Sequence, residues 1–174
     1  SDDKRELLRR ALPYARPELT STALVVVDQA VESGSPTFAR DELDVLWNDD
    51  LAAELLDRLA GNATQTATRD SLLDAFKAHG ANHARLLLHS WLEPRERATH
   101  PERAQSAAAW LLWNDAAESW TLLSRLMNDD PDTMEAASVQ AGHQYDRHVP
   151  DLDDESLADL YIFLCRHFPQ SQDP

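Results

Sequence analysis

The sequence predicts an all-α protein, and three observations carry that prediction. Ala, Leu, Glu and Arg are abundant, all residues that lose little on entering a helix, and Asp joins them as a helix opener. Only 4 Gly occur and β-branched runs are rare, so there is little material for strands and their tight turns. Helix start and stop signals recur along the whole chain. At 174 residues, with 43% hydrophobic and 27% charged side chains, the chain can build a real core and is not disordered. It is read as a single α-helical repeat domain over 1–174.

The elements follow in order. DDKRELLRRAL is predicted to end at Pro13, and ELTSTALVVVDQAVES to end at Gly34. In the second, Leu19, Ala23, Val26, Val27, Ala30 and Val31 fall on one face of period 3.6. Its apolar run into Asp28 also resembles a strand bearing a catalytic acid. No second strand or nucleophile elbow follows, and the apolar face continues past Asp28, so helix is the reading. Ser35-Pro36 is a cap followed by proline at the first helical position, opening TFARDELDVLW. DDLAAELLDRLAG and RDSLLDAFKAHG stop at Gly61 and Gly80, and ANHARLLLHSWLEP stops before Pro94. Thr99-His100-Pro101-Glu102 has the pattern of a capping box for ERAQSAAAWLLW. Asn114-Asp115 opens DAAESWTLLSRLM, and Asp130-Pro131 opens DTMEAASVQAGHQY, which Gly142 kinks or ends. Asp153 caps DESLADLYIFLCRHF, closed by Pro169. The tally is about ten helices joined by short polar turns.

The stretches ELLDRLAG, LLLHSWLEP, TLLSRLMND and IFLCRHFP align on their leucines at a spacing growing from about 31 to about 41 residues. A helix pair of that length cannot bury both faces by itself, so neighbours must stack. The expectation is an α-solenoid of antiparallel helix pairs, of the HEAT-like kind.

The formal charge of -15 comes from 31 acidic residues against 16 basic ones, which argues against nucleic acid and anionic membrane as partners. One cysteine excludes an internal disulfide and a cysteine-based zinc cluster. The opening SDDKRELLRR is no signal peptide, and no apolar run approaches a bilayer's thickness, so a cytoplasmic location is expected. With no initiator Met, that opening reads as the edge of an excised piece or a processed terminus.

Candidate chemistry is sparse. Cys165 and His167 point about 200° apart on a helix, so they form no ion pair, and Cys165 is expected to be a small buried residue. His79 and His83 have metal-ligand spacing, but Gly80 breaks their helix. A compact helical-bundle enzyme or metal protein using His79 and His83 is the rival reading. His143 and His148 lack a third ligand and are read as surface residues. Trp91, Trp110, Trp113 and Trp120 are read as packing between helices, with Trp47 partly exposed. Basic residues recur in the last turns of the aligned helices: Arg58, His89, Arg125 and Arg166. They compensate helix C-termini. They also form a candidate ladder for an acidic or phosphate-bearing ligand, and are the predicted partner-binding residues. No phosphate-binding loop, dinucleotide fingerprint, nucleophile elbow or zinc-protease motif is present. No enzyme activity, metal or cofactor is expected.

The last stretch, DLDDESLADLYIFLCRHFPQSQDP, resembles a segment that recurs in large bacterial NACHT-type signal-transduction ATPases (the STAND class of NTPases). Leu157, Ala158, Asp159, Leu160, Tyr161, Leu164, Phe168, Pro169, Asp173 and Pro174 match, and Phe163 replaces the usual Trp. The resemblance implies a helical-repeat region beyond a nucleotide-binding module, serving as sensor or scaffold in signalling or defence. It implies a fragment of a larger multidomain protein, whose partner is a protein, a peptide or a neighbouring domain. The same stretch is apolar on most sides and is expected to be buried on most sides.

Overall fold

A computed structural model of the chain describes residues 2–33, 40–61, 66–79, 82–144 and 149–167. These residues form ten α-helices and, among themselves, no strand. The chain divides into two compact units, Ser1–Leu87 and Leu88–Pro174.

The first unit holds α1 (Asp2–Ser33), α2 (Arg40–Leu46), α3 (Asp49–Ala60), α4 (Thr66–His79) and most of α5 (Asn82–Trp91). Two helices lie within α1, as predicted, but the break between them falls at Ala15, where φ is -141 and ψ is 32, rather than at Pro13. The break falls past Pro13 because proline's fixed φ suits a helix, while Pro17 has no N–H and crowds the carbonyl four residues back. Beyond the break, Ala23, Val27 and Ala30 are buried on the predicted face, and Asp28 is helical as expected. The predicted opening of α2 at Ser35-Pro36 lies outside the described residues; its Leu43 and Leu46 are buried.

Asn48 caps α3, its Oδ1 accepting the Leu51 N–H at 2.8 Å. Leu51, Leu55 and Leu59 recur at i, i+4 and i+8 and are fully buried, each stabilising the unit by about 1.5–3 kcal/mol. Gly61 ends α3 as predicted, with φ -59 and ψ 141 rather than a left-handed conformation. Helix α1 packs on α2 and α3, and both of those pack on α4, whose Leu72, Leu73 and Phe76 are buried.

The second unit holds the end of α5, then α6 (Pro94–Thr99), α7 (Pro101–Asn114), α8 (Ala116–Asp129), α9 (Pro131–Gln144) and α10 (Asp154–His167). Helix α6 is unpredicted: PRERAT is short, charged and without an apolar face. It also displaces the expected capping box. Thr99 is the last residue of α6 and bonds back to the Arg95 carbonyl at 2.9 Å, while His100 takes the cap position of α7. Every residue of α7 from Ser106 to Leu112 is buried, because α6, α8 and α9 all pack on it. Three consecutive alanines, Ala107 to Ala109, keep that helix thin enough to be approached from several sides. Asp130 caps α9, accepting the Thr133 N–H at 3.2 Å and its hydroxyl at 3.0 Å. Gly142 does not stop α9, which runs on to Gln144.

Asp153 caps α10, accepting the Ser156 N–H at 2.8 Å, and that bond holds its carboxyl below the usual range. The expectation that α10 is buried on most sides is overturned. Ser156, Leu160 and Phe163 are buried, while Tyr161, Ile162 and Cys165 are exposed. The side chains at i, i+4 and i+7 suffice to dock the helix on α8, leaving the others outside. Phe168 and Pro169 lie outside the described residues.

Candidate functional site

The four predicted contact residues occupy different surroundings. Arg58, in the first unit, forks onto Asp28 of α1, with Nε 2.6 Å from Oδ1 and Nη2 3.1 Å from Oδ2. Its Nη1 donates to Glu54 Oε2 at 2.8 Å. The Asp28 hydrogen bond is the main force raising its pKa, against an opposing contribution from burial. A guanidinium held by two carboxylates keeps its charge but offers an added anion little net attraction. In the second unit, Arg125 and Arg166 are exposed. His89 is half-buried, its Nε2 3.0 Å from Ser119 Oγ.

That last contact belongs to a chain the sequence did not disclose. Ser119 Oγ donates to Asp115 Oδ2 at 2.9 Å, so with its single proton engaged it accepts from His89 Nε2–H. His89, Ser119 and Asp115 thus share the residue types of an acyl-transfer triad in a different order. The carboxylate, not the imidazole, holds the serine proton, and Ser119 is 1% exposed, out of reach of a substrate. The chain fastens α5 to α8. Asp115 at i and Ser119 at i+4 were the available sequence signal, but His89 meets them only through folding.

A groove of about 570 Å³ runs between α1 and α3 in the first unit. Pro17, Leu24 and Val25 give it an apolar wall, and Val25 is half exposed. Asp28, Asp50 and Glu54 line it against the two guanidiniums of Arg16 and Arg58, leaving an excess of negative charge. A second groove, of about 510 Å³, is bounded in the other unit by Met127, Pro131, Ile162, Phe163, Arg166 and His167.

His79 and His83 are separated as the glycine predicted: α4 ends at one and α5 carries the other, with residues 80 and 81 outside the described set. What brings them near each other is Trp47. Its indole stacks on the His79 ring at 4.4 Å and 14°, and meets the His83 ring edge-on at 6.4 Å. Phe76 closes another side of the indole at 5.2 Å. Each imidazole turns its Nε2 to a different carboxylate, His79 to Asp44 at 3.0 Å and His83 to Asp49 at 3.3 Å. Among the described residues, no group of three or more His, Cys, Asp or Glu is placed to hold a metal ion. Trp47 is half-buried, as are Trp113 and Trp120, whereas Trp91 and Trp110 are buried. His148 and the side chain of His143 lie outside the described residues.

No protein-family model, curated protein or solved structure matches the chain. Among the described residues, no helix is long and apolar enough to cross a membrane.

Proposed function

We propose that the chain is a non-catalytic helical-repeat module that binds a protein or peptide, and that it regulates an attached nucleotide-hydrolysing module in bacterial signalling or defence. The resemblance of residues 151–174 to NACHT-type ATPases supports the second half of this reading. The packing of α7 on α9, two elements along, supports HEAT-like stacking of helix pairs. The groove between α1 and α3 is the observation that carries the binding role. An apolar wall beside unbalanced carboxylates suits a segment that presents an apolar side chain next to Lys or Arg. Arg125, an exposed member of the predicted set, is assigned to acidic groups of the partner.

Peptides displayed in a random library and selected on the immobilised chain test the groove. The selection is expected to enrich sequences that join an apolar residue to Lys or Arg. Val25→Asp should weaken the enriched peptides more than about tenfold, with the melting temperature unchanged because Val25 is 51% exposed. Absence of enrichment, or peptides that bind Val25→Asp as tightly as the unsubstituted chain, overturns the reading.

A further inference from the structure

Helix α10 carries a second apolar face that the described residues of its own unit leave exposed. Ala158, Tyr161, Ile162 and Cys165 are all exposed, Tyr161 at 67% and Ile162 at 45%. Their spacing is i, i+3, i+4 and i+7, the stripe one helix lays against another. The stripe is distinct from the buried Ser156, Leu160 and Phe163, so α10 is docked on α8 and still bears a helix-pairing surface.

We propose that this stripe pairs with the same stripe of a second copy of the chain, antiparallel about a twofold axis passing between Tyr161 and Ile162. Two features select that occupant and that direction. Side-chain size is symmetric about the midpoint, small–large–large–small. A twofold there sets Tyr161 against the partner's Ile162 and Ala158 against the partner's Cys165, each bulky group meeting a bulky group only at the centre. Such self-complementarity is what a twofold interface requires. Charge is antisymmetric about the same midpoint. Asp154, Glu155 and Asp159 precede it and Arg166 follows it, all exposed. Antiparallel pairing brings each Arg166 alongside the partner's Glu155 and Asp159, whereas parallel pairing sets like charge on like. An acidic start and basic end are common in helices. Here they flank an uncovered apolar stripe, and that coincidence makes the charges an address.

Sedimentation of the intact chain from about 1 to about 200 μM is expected to show a monomer–dimer equilibrium. Ile162→Asp, at an exposed position, should weaken it more than about tenfold with circular dichroism and melting temperature retained. Arg166→Glu should weaken it as well, and adding Asp159→Arg and Glu155→Arg should restore it, which loss of fold would not do. Cross-linking fixes the direction. Two Cys165 side chains lie about 10 Å apart along antiparallel axes, too far for a disulfide. Oxidation should therefore leave the unsubstituted chain uncross-linked, while Ala158→Cys yields a covalent dimer through Cys165. A chain monomeric at every concentration overturns the proposal and leaves the stripe to a different protein. A dimer indifferent to Ile162→Asp, or one cross-linked through Cys165 without substitution, overturns it too. Peptide capture repeated on monomeric Ile162→Asp keeps this result separate from the groove of the first unit.

Discussion

Trp47 sits just before the Asn48 cap of α3 and is held by side chains from two later helices. Its indole is stacked on His79, edged by His83 and closed by Phe76, while Asp44 and Asp49 fix the two imidazoles from outside. The cluster replaces solvent on the faces of one large ring, which is where an aromatic side chain adds most. His79→Ala is expected to shift tryptophan emission to longer wavelength and to lower stability by roughly 1–2 kcal/mol, through the lost stack and the lost contact with Asp44, which keeps Arg5 as its remaining partner. An unchanged spectrum would deny the stack. Sequence spacing disclosed His79 and His83 as a pair and Trp47 as partly exposed. It did not join them, because the contacts span about thirty residues and depend on where α4 turns back. The Asp115–Ser119–His89 chain escaped for the same reason. Arg58 was legible as a helix-end cation, but its carboxylate partner Asp28 lies on another helix.

At the scale of elements, α7 is the extreme case. An amphipathic helix has a wet side on which volume is free, whereas α7 from Ser106 to Leu112 has none. Ala108→Leu should therefore force its neighbours apart and destabilise the second unit by about 1–3 kcal/mol in a denaturant titration. The same change at exposed Ala158 should be nearly neutral for folding. Caps were the best-read features: Asp130 and Asp153 each accept the amide three residues on, as their positions announced. The capping box at Thr99 failed because a competing helix, α6, claimed that residue first. Helix α10 shows what composition cannot decide. Its apolar residues number enough for two faces, and only the position of α8 determines which one is covered.

For the whole molecule, a formal charge of -15 repels itself more strongly in the compact state than in the unfolded one. Raising sodium chloride from about 10 mM to about 150 mM shortens the screening length from about 30 Å to about 8 Å. The melting temperature is expected to rise across that range. A fall would mean that pairs such as Arg58–Asp28 outweigh the general repulsion. Ten helices among the described residues were nearly legible: the two predicted around Pro13 are the two halves of α1 on either side of Ala15, and α6 is the one the sequence missed. Helical content follows from composition and punctuation. The division into two compact units follows from long-range contacts that neither of these encodes.

The break at Ala15 has a consequence for how α1 comes apart. Helix order propagates residue by residue along a continuous hydrogen-bond ladder, and a ladder interrupted by a non-helical residue, Ala15, between Pro13 and Pro17 acts as a firebreak. Unwinding that begins at Asp2 is expected to halt there. The Arg5–Asp44 ion pair can then open and reclose, while Ala23, Val27 and Ala30 keep the remainder of the helix seated. Helix α1 is two helical segments joined at a kink, and they are expected to open separately.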